Sequence, residues 1–299
     1  MTPLDDLFST DESRAESQFE KVVTLNPAEI SDFPNHPFKV KQDDAMAEMV
    51  ESVRKYGVLV PALVRPKENG GYEMVAGHRR KFAAALAELT EIPCIVRNLS
   101  DDEATIIMVD SNLQRETILP SEKAFAYKMK LEALKNQGAR SDLTSSQVGM
   151  KLQALDIVGQ EAGDSRNQVH RFIRLTHLIP ELLELVDQKK ISFNPAVELS
   201  YLTEPEQRDF LEAMQDTQNA PSLSQAQRIK KLSQESQCSY EAIFDIMGEE
   251  KKAEMDRVTL KNEVLRKYFP HSYTPKQMED TILRLLEQWQ KKRQRSAER

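Results

Sequence analysis

Cysteine, glycine and aromatic residues are all scarce in this chain. The two cysteines, Cys94 and Cys238, lie far apart with no C-x-x-C pattern, which argues against a disulfide framework and against a cysteine-rich metal site. Aromatics make up 6% of the 299 residues, a composition that suits a helix-rich protein better than a β-sandwich. No apolar run approaches the roughly 20 residues needed to cross a bilayer. The start, with Asp5, Asp6, Asp11 and Glu12, is unlike a signal peptide, so a cytoplasmic protein is expected. The histidines, His36, His78, His170, His177 and His271, are scattered without His-Glu-x-x-His spacing, so no catalytic zinc is expected. There is no nucleophile elbow either, and catalytic residues are unknown.

Charge is abundant, at 30% of residues with a net −7. Residues 1–20 hold six acids against Arg14, which accounts for −5 of that balance and leaves −2 for the rest. A local basic face on such a chain still suits DNA. The length implies about two or three domains.

Residues 1–20 are acidic and without periodicity, and read as a disordered tail. Val22, Val23 and Leu25 suggest a strand. Met46, Met49, Val50, Val53 and Tyr56 fall at helical spacing between an Asp43 or Asp44 cap and a Gly57 stop. "VLVPALVRP" and "YEMVAG" flank Glu68-Asn69-Gly70-Gly71, a hairpin signal. A helix over 79–89, a strand in "IPCIVRNL" and a capping box at Ser100 to Glu103 follow. Pro120 opens a helix expected to stop at Gly138. From about 120 onward the chain reads as helices, with breaks at 138–143, 203–206 and 216–224. The last helix carries Met278, Ile282, Leu285, Leu286 and Trp289 on one face, either core or subunit interface.

Two constellations carry the chemistry. "VAGHRRKFAAAL" ends a strand at Gly77 and starts a helix with His78, Arg79 and Arg80. Cations at a helix N-terminus are disfavoured by roughly up to 1 kcal/mol unless an anion sits among them. With Asn112 and Arg115 of "DSNLQRE" they make a plausible triphosphate and metal pocket. The alternative is that the arginines pair with Asp101, Asp102 and Glu116.

The second stretch, "LDIVGQEAGDSRNQVHRFIRLTHLIP", places Ile157 and Val158 inside a first helix and turns at Gly163. A second helix then starts at an Asp164 or Ser165 cap with Val169, Phe172, Ile173 and Leu175 as its apolar stripe. Two helices joined by a glycine turn make a helix-turn-helix. Its outer face offers Ser165, Arg166, Asn167, Gln168, His170, Arg171 and Arg174. The first-turn residues suit base edges, and Arg171 and Arg174 suit phosphates. An ordinary helical hairpin with a solvated face is the alternative.

The collinear order of "NHPFKV", "YGVLVPALVRP", "VAGHRRKFAAAL", "IPCIVRNL", "DSNLQRE" and "RFIRLTHLIPELLELVDQKKISFNPAVELSYL", from about residue 20 to 205, resembles the ParB-type partition proteins of bacterial chromosomes, plasmids and mobile elements, the plasmid- or mobile-element-like branch in particular. The resemblance implies an α+β ParB/sulfiredoxin-like N-terminal domain, an all-α helix-turn-helix domain and a helical C-terminal region. The boundaries it suggests are 21–118, 119–215 and 225–299, the last a dimerisation region.

It also implies a CTP-gated DNA clamp, a homodimer that binds a palindromic double-stranded site, is nucleoid- or plasmid-associated and works with a Walker-type partner ATPase. By position, Gly77, Arg79 and Arg80, with His78 in the same motif, would hold phosphates; Asn112 would coordinate Mg2+; Arg115 would close the pocket; and Gly57 to Pro61 would lie near base and sugar. Two family carboxylates are replaced, by His78 and Ser111, so the resemblance carries CTP binding further than CTPase turnover. A nucleotide-independent regulator or nucleoid-occlusion-like protein is the first alternative, and a phosphotransfer enzyme the second.

Overall fold

Strand β1 (Val22–Leu25) and a 3-10 turn (Pro27–Glu29) lead into the two-residue β2 (Ile30–Ser31). Helix α1 (Asp44–Tyr56) follows, capped by the Asp43 carboxylate, which accepts from the Met46 amide at 2.9 Å. The hairpin of β3 (Ala62–Pro66) and β4 (Tyr72–Ala76) turns through Gly70 and Gly71, both at positive φ. Then come α2 (His78–Leu86), β5 (Ile92–Val96) and α3 (Asp101–Leu113), the last opened by the reciprocal Ser100–Glu103 capping box. This computed structural model describes residues 21–297 apart from 41, 116, 142–146, 250–264, 266 and 271. The acidic tail, Glu116 and His271 therefore lie outside the described residues.

The sheet runs β1-β5-β3-β4-β2 and is mixed: β1/β5 and β3/β4 pair antiparallel, β3/β5 and β2/β4 parallel. Side chains alternate across it, as a period of two requires. Ala62, Val64, Met74 and Cys94 point to one face with Met46, Val53, Ala83 and Ala84 of α1 and α2. Val75 points to the other, with Phe33, Phe38, Ala104, Met108 and Val109. Tyr56, expected on the buried stripe of α1, is 60% exposed with the Lys55 ammonium over its ring, because the helix ends there and α1 is anchored by Met46 and Val53.

The remaining helices are α4 (Pro120–Ser141), α5 (Gln147–Ala162), α6 (Arg166–Leu175), α7 (Pro180–Asp187), α8 (Phe193–Leu199), α9 (Glu204–Thr217), α10 (Leu223–Gln234), α11 (Tyr240–Gly248) and α12 (Pro275–Ala297). Helix α4 continues three residues past Gly138, where a stop was expected, so a single glycine did not end it. Leu175, Leu182, Leu199, Phe210, Ile229 and Ile243 share one core. That core joins α10 and α11 to the helix-turn-helix region. By its internal contacts the chain divides into two compact units, Met1–Glu249 and Glu250–Arg299. Among the described residues no helix is long and apolar enough to cross a membrane.

Candidate nucleotide pocket and nucleic-acid interface

At the β4–α2 junction Gly77 has φ 113°, a left-handed conformation open to glycine. A Cβ there would stand 2.9 Å from the Ala62 Cβ and 3.3 Å from an Arg80 guanidinium nitrogen. This turn folds Arg80 back, so that its Nη1 donates to the carbonyls of Val60 and Pro61, each at 2.6 Å. Arg80, expected on phosphates, thus fastens the 57–61 loop to α2. Arg79 points the other way. Its Nη2 lies 3.7 Å from Asp43 Oδ1, and its Nε is buried with no hydrogen-bond partner.

Arg79 and Arg115 meet across a cavity of about 760 Å3 with Lys39 and Lys189, and with Asp43, Glu122 and Asp187. The carboxylates are already occupied. Glu122 accepts from the Lys39 amide at 2.9 Å and the Leu119 amide at 3.1 Å, and Asp187 accepts from the Ser121 amide at 3.0 Å. Burial pushes the Arg115 guanidinium below its usual pKa, the Arg79 charge adds to that, and Glu122 opposes it. Two guanidiniums at one cavity wall, one of them lowered by burial and by the other's charge, are a receptor for an anion. Of the eight residues expected around a nucleotide, the structure brings Arg79 and Arg115 to this cavity. Gly57 caps α1 at φ 71°, Pro61 holds Arg80, and His78 is buried at 8% exposure beside His36. Asn112 is buried, its Nδ2 donating to the Met108 carbonyl at 2.8 Å, which leaves Oδ1 as the oxygen it can offer. Lys39 and Lys189 were missed. Lys39 lies inside the quoted "NHPFKV", but nothing local in the sequence ties Lys189 to residues over 100 positions earlier.

The helix-turn-helix forms as expected, with Gly163 at φ 71° in its turn and Ser165 as the cap of α6. The close crossing is made at Gly159, where a Cβ would meet the Asp164 carbonyl oxygen at 2.6 Å. Val158 is fully buried, but Ile157 is 38% exposed rather than inside. The inward stripe of α5 is Ala154, Leu155 and Val158, and residue 157 falls to one side of it. Ser165, Arg166, Asn167 and His170 are exposed, and Gln168 is half-buried. Arg166 makes a bidentate pair with Asp156 of α5, at 2.7 and 2.9 Å. Arg171 donates to Asn194 Oδ1 at 2.6 Å and lies over Phe193. Arg174 bonds Ser200 through its carbonyl and hydroxyl and stacks 4.0 Å from the Tyr201 ring centroid. The two arginines expected on phosphates therefore also pin α6 to the helices behind it.

A mixed-sheet domain with a cationic cavity is thus joined through α4 to a helix-turn-helix. The ParB N-terminal domain model matches residues 11–113, and the chain belongs to the ParB family. The chromosome-partitioning protein Spo0J of Thermus thermophilus is 37% identical over 62% of this chain and 62% of its own length. Stage 0 sporulation protein J of Bacillus subtilis is 36% identical over 58% of this chain and 55% of its own. The nucleoid occlusion protein of Geobacillus thermodenitrificans is 31% identical over 69% of each chain. The chain thus spans about three fifths of the length of the Spo0J-type relatives. Among solved structures, the C-terminally truncated ParB of Caulobacter crescentus complexed with CTP-gamma-S is 26% identical, covers 62% of this chain and 94% of that one, and has a TM-score of 0.30.

Proposed function

We propose that this chain is a sequence-specific DNA-binding partition protein that binds CTP and closes as a homodimeric clamp on a palindromic double-stranded site, acting in the cytoplasm, associated with nucleoid or plasmid, with a Walker-type partner ATPase. The observation that carries this reading is the presence in one chain of the Arg79–Arg115 cavity and the donor-rich face of α6, both resting on α4. The triphosphate would lie against Arg79, Arg115 and Lys39, with Gly77 giving the backbone its close approach. Ser165, Arg166, Asn167, Gln168 and His170 would face base edges, and Arg171 and Arg174 the phosphates. Mg2+ would draw its oxygens from the ligand and from Asn112 Oδ1, because Glu122 and Asp187 at the cavity are already engaged through both oxygens. That donor set supports retention of the nucleotide better than its hydrolysis.

The names of the Geobacillus relative and others like it make nucleoid occlusion the second reading. Calorimetry of CTP with the purified chain, with and without DNA from its own gene neighbourhood, tests the nucleotide. Arg79→Ala is expected to lose CTP affinity by at least tenfold, since a charge-assisted contact contributes about 1.5–3 kcal/mol. Wild-type affinity in Arg79→Ala would overturn the pocket assignment, and DNA binding indifferent to CTP would favour a nucleotide-independent regulator.

A further inference from the structure

One residue of the helical half reaches the cavity from a backbone conformation that its side chain disfavours. Lys189 has φ 60°, the left-handed region that usually falls to glycine. It stands just past the end of α7, where its amide donates to the Val186 carbonyl at 3.0 Å and the Lys190 amide donates to the Leu185 carbonyl at 2.9 Å. This pair of bonds closes a helix through a left-handed residue, a place where glycine is at ease and lysine is strained. A cation at a helix C-terminus is favourable in itself, but Lys190 supplies one from outside the left-handed region. Strain kept at a single position is a reason to look for the task of its side chain.

We propose that Lys189 binds the terminal phosphate of the nucleotide, so that the helical half of the chain, and not the sheet domain alone, distinguishes a triphosphate from a diphosphate. This rests on the nucleotide reading given above. Lys189 lines the same cavity as Arg79, Arg115 and Lys39, and among the described residues of that lining it is the cation contributed from beyond residue 119. It is exposed and, among the described residues, has no ion-pair partner. The acids of its own wall are engaged elsewhere, Asp187 by the Ser121 amide and hydroxyl, Glu122 by the Lys39 and Leu119 amides. The Asp187–Ser121 bonds also tie the end of α7 to the start of α4, which holds the turn bearing Lys189 at the cavity. Gly77 and Arg79 receive the phosphate chain from the sheet domain, and the terminal phosphate is the group farthest from the sugar. An ammonium, a compact charge with three rotatable donors on a flexible stem, suits that group without needing a fixed approach.

Calorimetry with CTP and with CDP, run beside thermal melts on the full chain, compares wild type with Lys189→Gly, Lys189→Arg and Lys190→Ala. Lys189→Gly removes the cation and the strain together. Its melting temperature should rise, while CTP affinity falls about five- to tenfold and CDP affinity by less than about twofold. An affinity lost in a protein that melts higher is not a folding defect. Lys189→Arg keeps both the charge and the strain and should hold the wild-type ratio of CTP to CDP affinity. Lys190→Ala, which removes a neighbouring charge outside the cavity lining, should hold it too. A wild-type ratio in Lys189→Gly, or equal losses for the two nucleotides, would overturn the proposal and leave the nucleotide reading standing. Wild type that binds neither nucleotide would remove that reading and this proposal with it.

Discussion

Burial, with His36 close by, drives the His78 imidazole down to about 3, against 6.5 for an unburied ring. The folded state therefore binds fewer protons than the unfolded one between those values. Stability from the neutral ring is fully present above pH 6.5 and is lost progressively as pH falls toward 3, by on the order of 4 kcal/mol if the whole shift is expressed. Chemical denaturation at pH 7 and pH 4 should show a steeper loss in wild type than in His78→Gln; equal slopes would mean that the ring is not held neutral. Arg166 and Arg174 divide differently. On the proposed DNA reading Arg166 would exchange the exposed Asp156 carboxylate for a base edge, so Arg166→Ala should cost about 1–3 kcal/mol on the cognate site and little elsewhere. Arg174→Ala should weaken binding to all DNA and also lower the melting temperature, because it strands the Ser200 carbonyl. Binding curves on cognate and random DNA, read beside thermal melts, separate the two. The resemblance put Arg80 beside Arg79 on the phosphates, and local spacing could not separate them. Which arginine folds back onto Val60 and Pro61 depends on a glycine conformation and on a loop some twenty residues earlier in the chain.

At the scale of elements, α4 is the member through which the others are fixed. The Lys130 ammonium, 1% exposed, pairs with Asp110 of α3 and Glu161 of α5. Tyr127 donates to Asp164 at 2.6 Å, and Lys123 pairs with the same carboxylate at 2.7 Å. Ser121 binds Asp187 of α7, and Glu122 holds the Lys39 amide. Lys130→Met would leave two half-exposed carboxylates without their cation, a loss of about 1 kcal/mol because water still reaches both, read as a lower denaturation midpoint. No change in midpoint would show that Asp110 and Glu161 find water instead. The helices and hairpin were legible because their signals are local: the Asp43 cap, the Ser100 capping box, the Gly70-Gly71 turn. The grouping of α10 and α11 with the core of α7–α9 was not, since Ile229 and Ile243 reach Phe210 and Leu199 through tertiary packing that no periodicity records.

Over the whole molecule, charge and exposed apolar surface are unevenly distributed. The net −7 is mostly the −5 of residues 1–20, so the remainder carries little net charge to repel a polyanion. Helix α12 exposes Leu283, Leu285, Leu286 and Trp289 at 54–59%. Leu285, Leu286 and Trp289 share one face of the helix, and a face of that kind suits a second copy of the same helix. On the proposed homodimer reading, the double substitution Leu285→Asp and Leu286→Asp should lower sedimentation to that of a monomer, and unchanged sedimentation would overturn α12 as the contact. The cross-ties of α4 have a practical consequence for recombination between relatives. A chimaera joined at residue 118 would inherit Asp110 from one parent and Lys130, with Glu161, from the other. Swapping only helix α6 is no safer: Arg166, Arg171 and Arg174 would move together, but their partners Asp156, Asn194 and Ser200 would stay behind. The natural exchange unit is therefore the run from α3 to α11, and shuffled libraries cut inside it should yield fewer folded members than libraries cut on either side.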